Sequence, residues 1–328
     1  MKRRELVLGL LAISIAVATH AGAQTAASPL PRVVIIVSGE EAFFRPFKDS
    51  FLQGMRELGQ TEGKTFRLEF RYAYGEPARS ITLIQESVAS HPDVLVVSGL
   101  TNARRARDAT KTVPVVVATS SDLVDAGIVA SFARPGGNIT GITDLADEAA
   151  VKRLELLKEL IPTLSRVALL NNPEFPATAK IERRVRAAAG TLGITVLPLY
   201  ATDRASLALA VDSLEKLRPG ALLIGGDALF TTNARQIIER ATGLGVPVAH
   251  YWPGTAEMGA LLSHQADIHQ NYQRAGYYVS RILKGAKPSD LPIEQPTRYE
   301  VVLNRKAATR FGITVPATVI LRADRVIE

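Results

Sequence analysis

The residues best suited to bind a small molecule lie where predicted parallel strands end. In open α/β sheets, ligands bind beyond the carboxyl ends of the strands, so the residue types at those points are informative. Small hydroxyl residues and glycines at helix N-termini expose backbone N–H groups that favour a carboxylate. Candidates of this polar kind, together with one strand-end amide, are Ser38, Ser98, Gly99, Thr119, Ser120 and Asn171.

Acidic and aromatic residues follow the same strand ends. Asp122 and Asp227 could pair with a ligand ammonium, and aromatic rings could enclose a flat or apolar body. The aromatic candidates are Phe44, Phe175, Phe230, Tyr251 and Trp252. Each candidate has a second interpretation, because Ser, Thr and Asp also cap helices and aromatic residues also fill cores. As a set, they favour a polar and aromatic ligand cleft.

Motifs for catalysis and cofactor binding are missing from the sequence. It contains no H-E-x-x-H, no G-x-S-x-G and no G-x-G-x-x-G after a strand. The segment 59–65 resembles a phosphate loop, but it follows a helix and precedes a strand, which inverts the required order. The absence of cysteine excludes disulfides and thiolate chemistry. We therefore predict no catalytic residue, no metal and no cofactor, and expect a protein that is not an enzyme. A pair of cleft carboxylates is the enzymatic alternative.

The charge does not indicate a nucleic-acid partner. The net charge is +7, of which Lys2, Arg3, Arg4 and Glu5 contribute +2, so +5 remains without them. The densest basic cluster, at 104–107, lies in a helical pattern and is typical of a solvated helix face. Nucleic-acid binding would require basic residues on one face with aromatic platforms. We expect a small-molecule ligand and, by default, a monomer.

The first 23 residues have the pattern of a signal peptide. Three basic residues precede an apolar run at 6–18, and Ala21-Gly22-Ala23 forms a small-x-small cleavage site. The run is shorter than the roughly 20 residues that span a bilayer. We expect cleavage near Ala23 and a mature chain in the periplasm. The route, Sec or twin-arginine, stays open.

From Arg32 onward, short β-rich runs alternate with helical patterns. Strict alternation predicts parallel sheets with right-handed crossovers. Strands are predicted at 32–38, 93–98 and 113–118, and again at 166–171, 195–200, 221–225 and 247–250. Breaks at 134–144 and 253–263 divide the pattern, so the sequence predicts two α/β lobes of similar construction.

Four stretches resemble one family, in the same order along nearly all of the mature chain. They are FLQGMRELG at 51–59, ARPGGNITGIT at 133–143, ILKGAKPSDLPIEQP at 282–296 and LRADRVI at 321–327. They look like the ABC-transporter substrate-binding family that includes tryptophan-binding proteins. The resemblance implies a type I periplasmic-binding fold, with two Rossmann-like lobes of parallel sheets joined by three hinge crossings. The expected lobes are 24–142 plus about 260–290, and 143–259 plus about 291–328.

The resemblance also implies a function. Asp122 and Asp227 stand where the family has Asp after a strand, and Asn171 falls on its Asn-containing loop. The expected role is the extracytoplasmic solute-binding component of an ABC importer, with an amino acid or aromatic carboxylate as ligand. Its partner would be an ABC permease in the inner membrane. The alternative is a ligand-sensing module that presents its closed form to a receptor.

Overall fold

The computed structural model describes residues 29–328, so the predicted signal peptide at 1–23 lies outside the described residues. Across 29–328, none of the helices has the length and apolar character needed to cross a bilayer. The first half contains β1 (Arg32–Val37), α1 (Glu41–Arg56), β2 (Arg67–Tyr72), α2 (Pro77–Ala89), β3 (Val94–Ser98), α3 (Leu100–Ala109), β4 (Val115–Thr119) and β5 (Ile139–Gly141).

The second half repeats the alternation before the chain returns to the first half. It contains α4 (Ala146–Leu160), β6 (Arg166–Asn171), α5 (Thr178–Thr191), β7 (Thr195–Tyr200), α6 (Arg204–Asp212), α7 (Leu214–Leu217), β8 (Ala221–Ile224), α8 (Ala228–Thr232), α9 (Ala234–Gly243), β9 (Val248–His250) and β10 (Leu262–Ala266). The C-terminal part adds α10 (Ile268–Leu283), β11 (Tyr299–Asn304), α11 (Arg305–Arg310), α12 (Ala317–Ile320) and β12 (Arg325–Ile327).

The first sheet is parallel throughout, with five strands in the order β2-β1-β3-β4-β5. Successive side chains of a strand point to opposite faces. Val33 and Ile35 of β1 therefore pack with α1 and α10, whereas Val34 and Ile36 pack with α2 and α3. Because both faces are covered, β1 reads as a continuous apolar run.

The second sheet has seven strands in the order β12-β11-β10-β9-β8-β6-β7. Only the pair of β10 and β11 is antiparallel in this sheet. Val167 and Leu169 of β6 pack with α4 and α5, and Ala168 and Leu170 pack with α6 and α9. The predicted fold class, two α/β lobes with parallel sheets, is confirmed.

Within residues 29–328, the chain passes between the sheets at three places. The first crossing (residues 142–145) connects β5 to α4, the second (residue 267) connects β10 to α10, and the third (residues 292–298) leads to β11. They run side by side, since Thr143 N donates to Glu294 O at 2.9 Å and Asp267 N donates to Arg298 O at 3.0 Å. This set of crossings is the hinge.

The strand β10 lies in the second sheet, where it pairs with β9 and β11. The second crossing therefore falls at residue 267 and not near residue 260, where the break in the sequence pattern suggested it. Glycine and proline at 253–254 mark a turn before β10, and the chain changes sheet only after that strand. We propose 29–142 plus 268–293 as the first lobe and 145–266 plus 299–328 as the second.

Helix α10 returns to the first lobe and packs closely on α1. A Cβ atom at Gly54 of α1 would lie 1.8 Å from Gln273 O, and one at Gly276 of α10 would lie 2.1 Å from Phe51 O. Each glycine thus allows the backbone of one helix to contact the other. The contact anchors the segment that follows the second crossing.

Replacing Gly54 with alanine should destabilise the protein. The added methyl group must displace the backbone of α10, and overpacking of this kind costs typically 1–3 kcal/mol or more. Urea unfolding followed by circular dichroism measures the change. The matched control is Gly190→Ala in α5, where a Cβ atom meets nothing within 4 Å; it should be neutral or stabilising. Equal stability of the two variants would contradict this account of the α1–α10 contact.

Candidate functional site

Segments that follow the carboxyl ends of the strands contact each other between the two lobes, and the space that they enclose is the candidate ligand cleft. The first crossing leaves the first sheet at β5, so the hinge lies at that edge of the sheet. The strand β2 forms the opposite edge and marks the mouth of the cleft. Loops after the strands make contacts between the lobes on the three sides away from the hinge.

On the side of α1, the contact is aromatic. Trp252, in the loop after β9, stacks on Phe43 of α1 with ring centroids 4.2 Å apart and an interplanar angle of 28°. It also meets Phe47 edge-to-face at 5.7 Å. The backbone N–H of Trp252 donates to His250 Nδ1 at 2.9 Å, which fixes the start of the loop. Trp252 therefore joins the second lobe to the aromatic cluster of the first.

At the mouth, the backbone of the turn after β2 contacts the second lobe. Tyr74 and Gly75 follow β2 with φ angles of 54° and 76°, in the left-handed region that L side chains rarely adopt. A Cβ atom at Gly75 would lie 3.0 Å from Thr232 Oγ1 at the end of α8. The turn thus brings the first lobe close to α8 of the second.

On the side of α3, the contact is ionic and apolar. Lys180 Nζ of α5 lies 3.2 Å from Asp125 Oδ2 and 3.7 Å from Asp122 Oδ2, both in the first lobe. Burial lowers the pKa of Lys180, but the hydrogen bond to Asp125 and the nearby carboxylates raise it overall. Phe175 packs beside this group against apolar clusters of both lobes. With the hinge on the fourth side, the structure is a closed two-lobed protein.

The first-lobe wall is organised by Asn102 of α3, which is 1% exposed. Its Nδ2 donates to Ser38 Oγ at 3.0 Å and to Ser98 O at 3.1 Å, and its Oδ1 accepts from Ser80 Oγ at 2.5 Å. Gly99 begins the helix at a φ of 88°, which a residue without Cβ adopts readily. The ends of β1 and β3 are therefore held together beside the N-terminus of α3.

Among residues 29–328, the buried polar atoms without a hydrogen-bond partner include two at strand ends. They are Ser120 Oγ after β4 and Asn171 Nδ2 at the end of β6. Ser120 is 4% exposed and Asn171 is 2% exposed. A buried donor or acceptor without a partner costs about 1–3 kcal/mol. A polar ligand in the cleft would supply such a partner.

Asp227 caps α8 at the end of β8. Its Oδ1 accepts from Leu229 N at 2.8 Å, and its Oδ2 accepts from Asn172 Nδ2 at 3.2 Å. Burial raises the pKa of Asp227, and these two hydrogen bonds oppose the rise. Tyr251 donates its hydroxyl to Asp227 O at 2.8 Å, so its ring lies over the start of α8. Asp227 therefore connects the loop after β6 to the start of α8.

The structure corrects the aromatic part of the predicted site. Phe230 is fully buried in the core beside α6 and α9, and Phe44 is 6% exposed in the core beneath α1. Neither ring is available to line the cleft, because each packs in the apolar core beneath its own helix. Phe175 and Trp252 lie between the lobes and make closing contacts.

The structure also corrects the predicted role of Asp122, whose carboxylate is not free to bind a ligand ammonium. Its Oδ1 accepts from Val124 N at 2.9 Å and Asp125 N at 3.0 Å, and its other oxygen faces Lys180. The carboxylate is thus committed to its own turn and to the ion pair between the lobes.

Sequence reasoning missed Asp144, which lies on the first crossing. Thr119 Oγ1 donates to Asp144 Oδ2 at 2.5 Å, and Asn271 Nδ2 donates to Asp144 Oδ1 at 2.9 Å. Burial raises the pKa of Asp144 to about 6, against the opposing effect of both hydrogen bonds. Its only sequence signal was its position at the end of the predicted break, which does not indicate contact with α10. Asn102, Phe43 and Lys180 were missed for the same reason, since their partners are distant in sequence.

Known proteins share this architecture. The family model for ABC transporter substrate binding proteins matches residues 32–327. A tyrosine-binding protein of Clostridioides difficile is 22% identical over 262 residues, which cover 78% of this chain and 74% of that protein. An ABC domain from Streptococcus pneumoniae, solved in complex with L-Trp, superposes with a TM-score of 0.84 at 24% identity, covering 91% of this chain and all of that one.

A further solved structure, a conserved domain protein from Vibrio cholerae, superposes with a TM-score of 0.83 at 26% identity, covering 90% of this chain and 99% of that one. The fold and cleft define the class of two-lobed, hinged binding proteins. Within that class, the chain belongs to the ABC transporter substrate-binding protein family.

Removing the charge of Lys180 should favour the open form. Lys180→Met keeps the length of the side chain but deletes the ion pairs that join α5 to the first lobe. Partly exposed ion pairs contribute about 0–1 kcal/mol, so the ratio of open to closed protein should rise by up to about fivefold. Small-angle X-ray scattering of the ligand-free protein should show a larger radius of gyration.

The control is Lys306→Met, which changes an exposed lysine of α11. It should scatter like the wild type. Added salt should move the wild type toward the Lys180→Met curve because salt screens exposed charges. Identical curves for Lys180→Met and wild type at low salt would show that the ion pairs do not hold the lobes together.

Proposed function

We propose that this chain is the extracytoplasmic solute-binding component of an ABC importer. It binds a small metabolite in the cleft between the lobes and delivers it to a permease in the inner membrane. Closure about the hinge encloses the ligand, and the closed form docks on the permease. The mature chain acts in the periplasm as a monomer after cleavage near Ala23.

The observation that carries the proposal is the composition of the closed cleft. Strand ends of both lobes meet there, and Ser120 Oγ and Asn171 Nδ2 lie buried without a partner among residues 29–328. Gly225 allows this arrangement, since a Cβ atom at that position would lie 2.2 Å from Asn171 Oδ1. Polar groups from both lobes would contact one ligand, so that binding would stabilise the closed form.

The ligand class follows from the charges of the cleft and from the relatives. Hydroxyl groups, backbone N–H groups and carboxylates suit a molecule that carries both an acid and an amine. The related proteins bind L-Trp in one case and are named for tyrosine in another. We infer that an amino acid or an aromatic carboxylate is the ligand.

A ligand screen tests this proposal. Thermal unfolding is measured with L-tryptophan, L-tyrosine, L-phenylalanine, non-aromatic amino acids and sugars. A ligand at 100 times its Kd should add about 2.7 kcal/mol of stability. At least one amino acid or aromatic acid should stabilise the protein, whereas sugars should not. Stabilisation by a sugar alone would contradict the proposed ligand class.

The variant Ser120→Ala makes the test specific to the cleft. Because this hydroxyl has no partner within residues 29–328, its loss should not lower the stability of the ligand-free protein. Ligand affinity should fall about three- to tenfold, the usual effect of one lost hydrogen bond. Ser165→Ala, at an exposed serine before β6, is the control and should bind like the wild type.

A further inference from the structure

The carboxylate of Asp144 lies at the junction of the hinge and the cleft. It follows β5 on the first crossing, and its backbone N–H donates to Ser120 O at the end of β4. Its two oxygens accept from the hydroxyl of Thr119 and the amide of Asn271. Asn271 belongs to the first turn of α10, so Asp144 connects two crossings with the end of a cleft strand.

Within residues 29–328, no positive side chain forms an ion pair with this carboxylate. None of the ion pairs among residues 29–328 includes Asp144, and both of its side-chain donors are neutral. Asp144 is partly buried, and partial removal of an ionised carboxylate from water is unfavourable unless a cation compensates. At neutral pH the group is ionised, since its pKa is about 6. The site therefore holds a negative charge that the described protein leaves uncompensated.

The other two cleft acids differ from Asp144. Asp122 has Lys180 Nζ at 3.7 Å, and Asp227 accepts from the N–H of Leu229 at the start of α8. Asp122 is therefore paired with a cation. The charge of Asp227 is stabilised by a helix N-terminus, where backbone N–H groups favour anions. Of these acids, Asp144 is the one that gains most from an external cation.

Among residues 29–328, the hydroxyl of Ser120 has no hydrogen-bond partner, and Ser120 directly follows Thr119, which donates a hydrogen bond to Asp144. Ser120 is 4% exposed. An ammonium group carries three N–H donors and no acceptor. The Asp144 carboxylate and the Ser120 hydroxyl, which belong to residues whose backbones hydrogen-bond to each other, offer two acceptors for such a group.

We propose that Asp144 binds the ammonium group of the ligand, with Ser120 Oγ as a second acceptor. This inference rests on the proposed function and assigns its ligand to the class of primary amines. It places recognition of the ligand's positive charge at the hinge, whereas Asp227 acts by positioning Asn172 and α8. Binding there also ties the first crossing more firmly to α10, because the ammonium holds the carboxylate in place.

The experiment compares amino acids with their desamino counterparts. Isothermal titration calorimetry measures L-tryptophan, L-tyrosine and L-phenylalanine against indolepropionic, hydroxyphenylpropionic and phenylpropionic acid. A desamino acid would leave the Asp144 carboxylate without its cationic partner, so the wild type should favour the best-bound amino acid by roughly 30-fold or more. Asp144→Asn should reduce this preference to within about threefold. If Asp144 had only a structural role, the substitution would lower the affinity for both compounds of a pair by the same factor.

Asp227→Asn is the matched control at another cleft acid, whose charge is stabilised within its own lobe. It should lower the affinity for both compounds of a pair by a similar factor and keep their ratio. Thr119→Val, which keeps the Asp144 carboxylate but removes its hydroxyl donor, provides a second variant if Asp144→Asn does not fold. It should change the ratio by more than about threefold, since a misplaced carboxylate binds the ammonium differently.

Three results with the variants would overturn the inference. They are an unchanged ratio in Asp144→Asn, loss of the ratio in Asp227→Asn alone, or, where Asp144→Asn does not fold, an unchanged ratio in Thr119→Val. Binding of the desamino acids but not the amino acids by the wild type would leave the proposed function standing and refute the role of Asp144. Binding of none of the six compounds would refute an aromatic ligand, and with it this inference, whereas the proposed function is decided by the wider ligand screen.

Discussion

The three chain crossings are tied to one another beside the β5 edge of the first sheet, and the rest of the structure depends on this junction. The side chain of Asn271 holds Asp144, and the chain at 142–143 runs beside Glu294. Tyr299 adds a further contact, since its hydroxyl accepts from Leu145 N at 3.3 Å. All chain connections between the lobes lie at this edge, so rotation about it can open the cleft without breaking either sheet.

The closing contacts away from the hinge are few and of moderate strength. A stacked pair such as Phe43 and Trp252 contributes about 0.5–1.5 kcal/mol beyond the area it buries. The ion pairs of Lys180 are partly exposed and contribute about 0–1 kcal/mol. Contacts of this size leave the open and closed forms close in free energy. A ligand that touches both lobes can then shift the population by its own differential affinity.

The sequence predicted what local patterns encode. Alternation of apolar strands with helices predicted two α/β lobes, and strand ends correctly placed Ser120 and Asn171 at the ends of β4 and β6. It misplaced Phe230, because an aromatic residue near the start of a helix reads the same whether it faces the cleft or the core. The sequence pattern suggested a lobe boundary near residue 260 because of the turn before β10, whereas β10 pairs within the second sheet. Asp144 could not be found, because its environment comes from residues 25 and 127 positions away.

The most direct test of the account is a distance between the lobes, measured with and without ligand. The chain has no cysteine, so Gln85→Cys on α2 and Gln236→Cys on α9, both exposed, allow specific labelling. Single-molecule energy transfer between the labels should show two interconverting distances in the free protein and mainly the shorter one at saturating ligand. One unchanging distance, with a ligand shown to be bound, would contradict the hinged cleft.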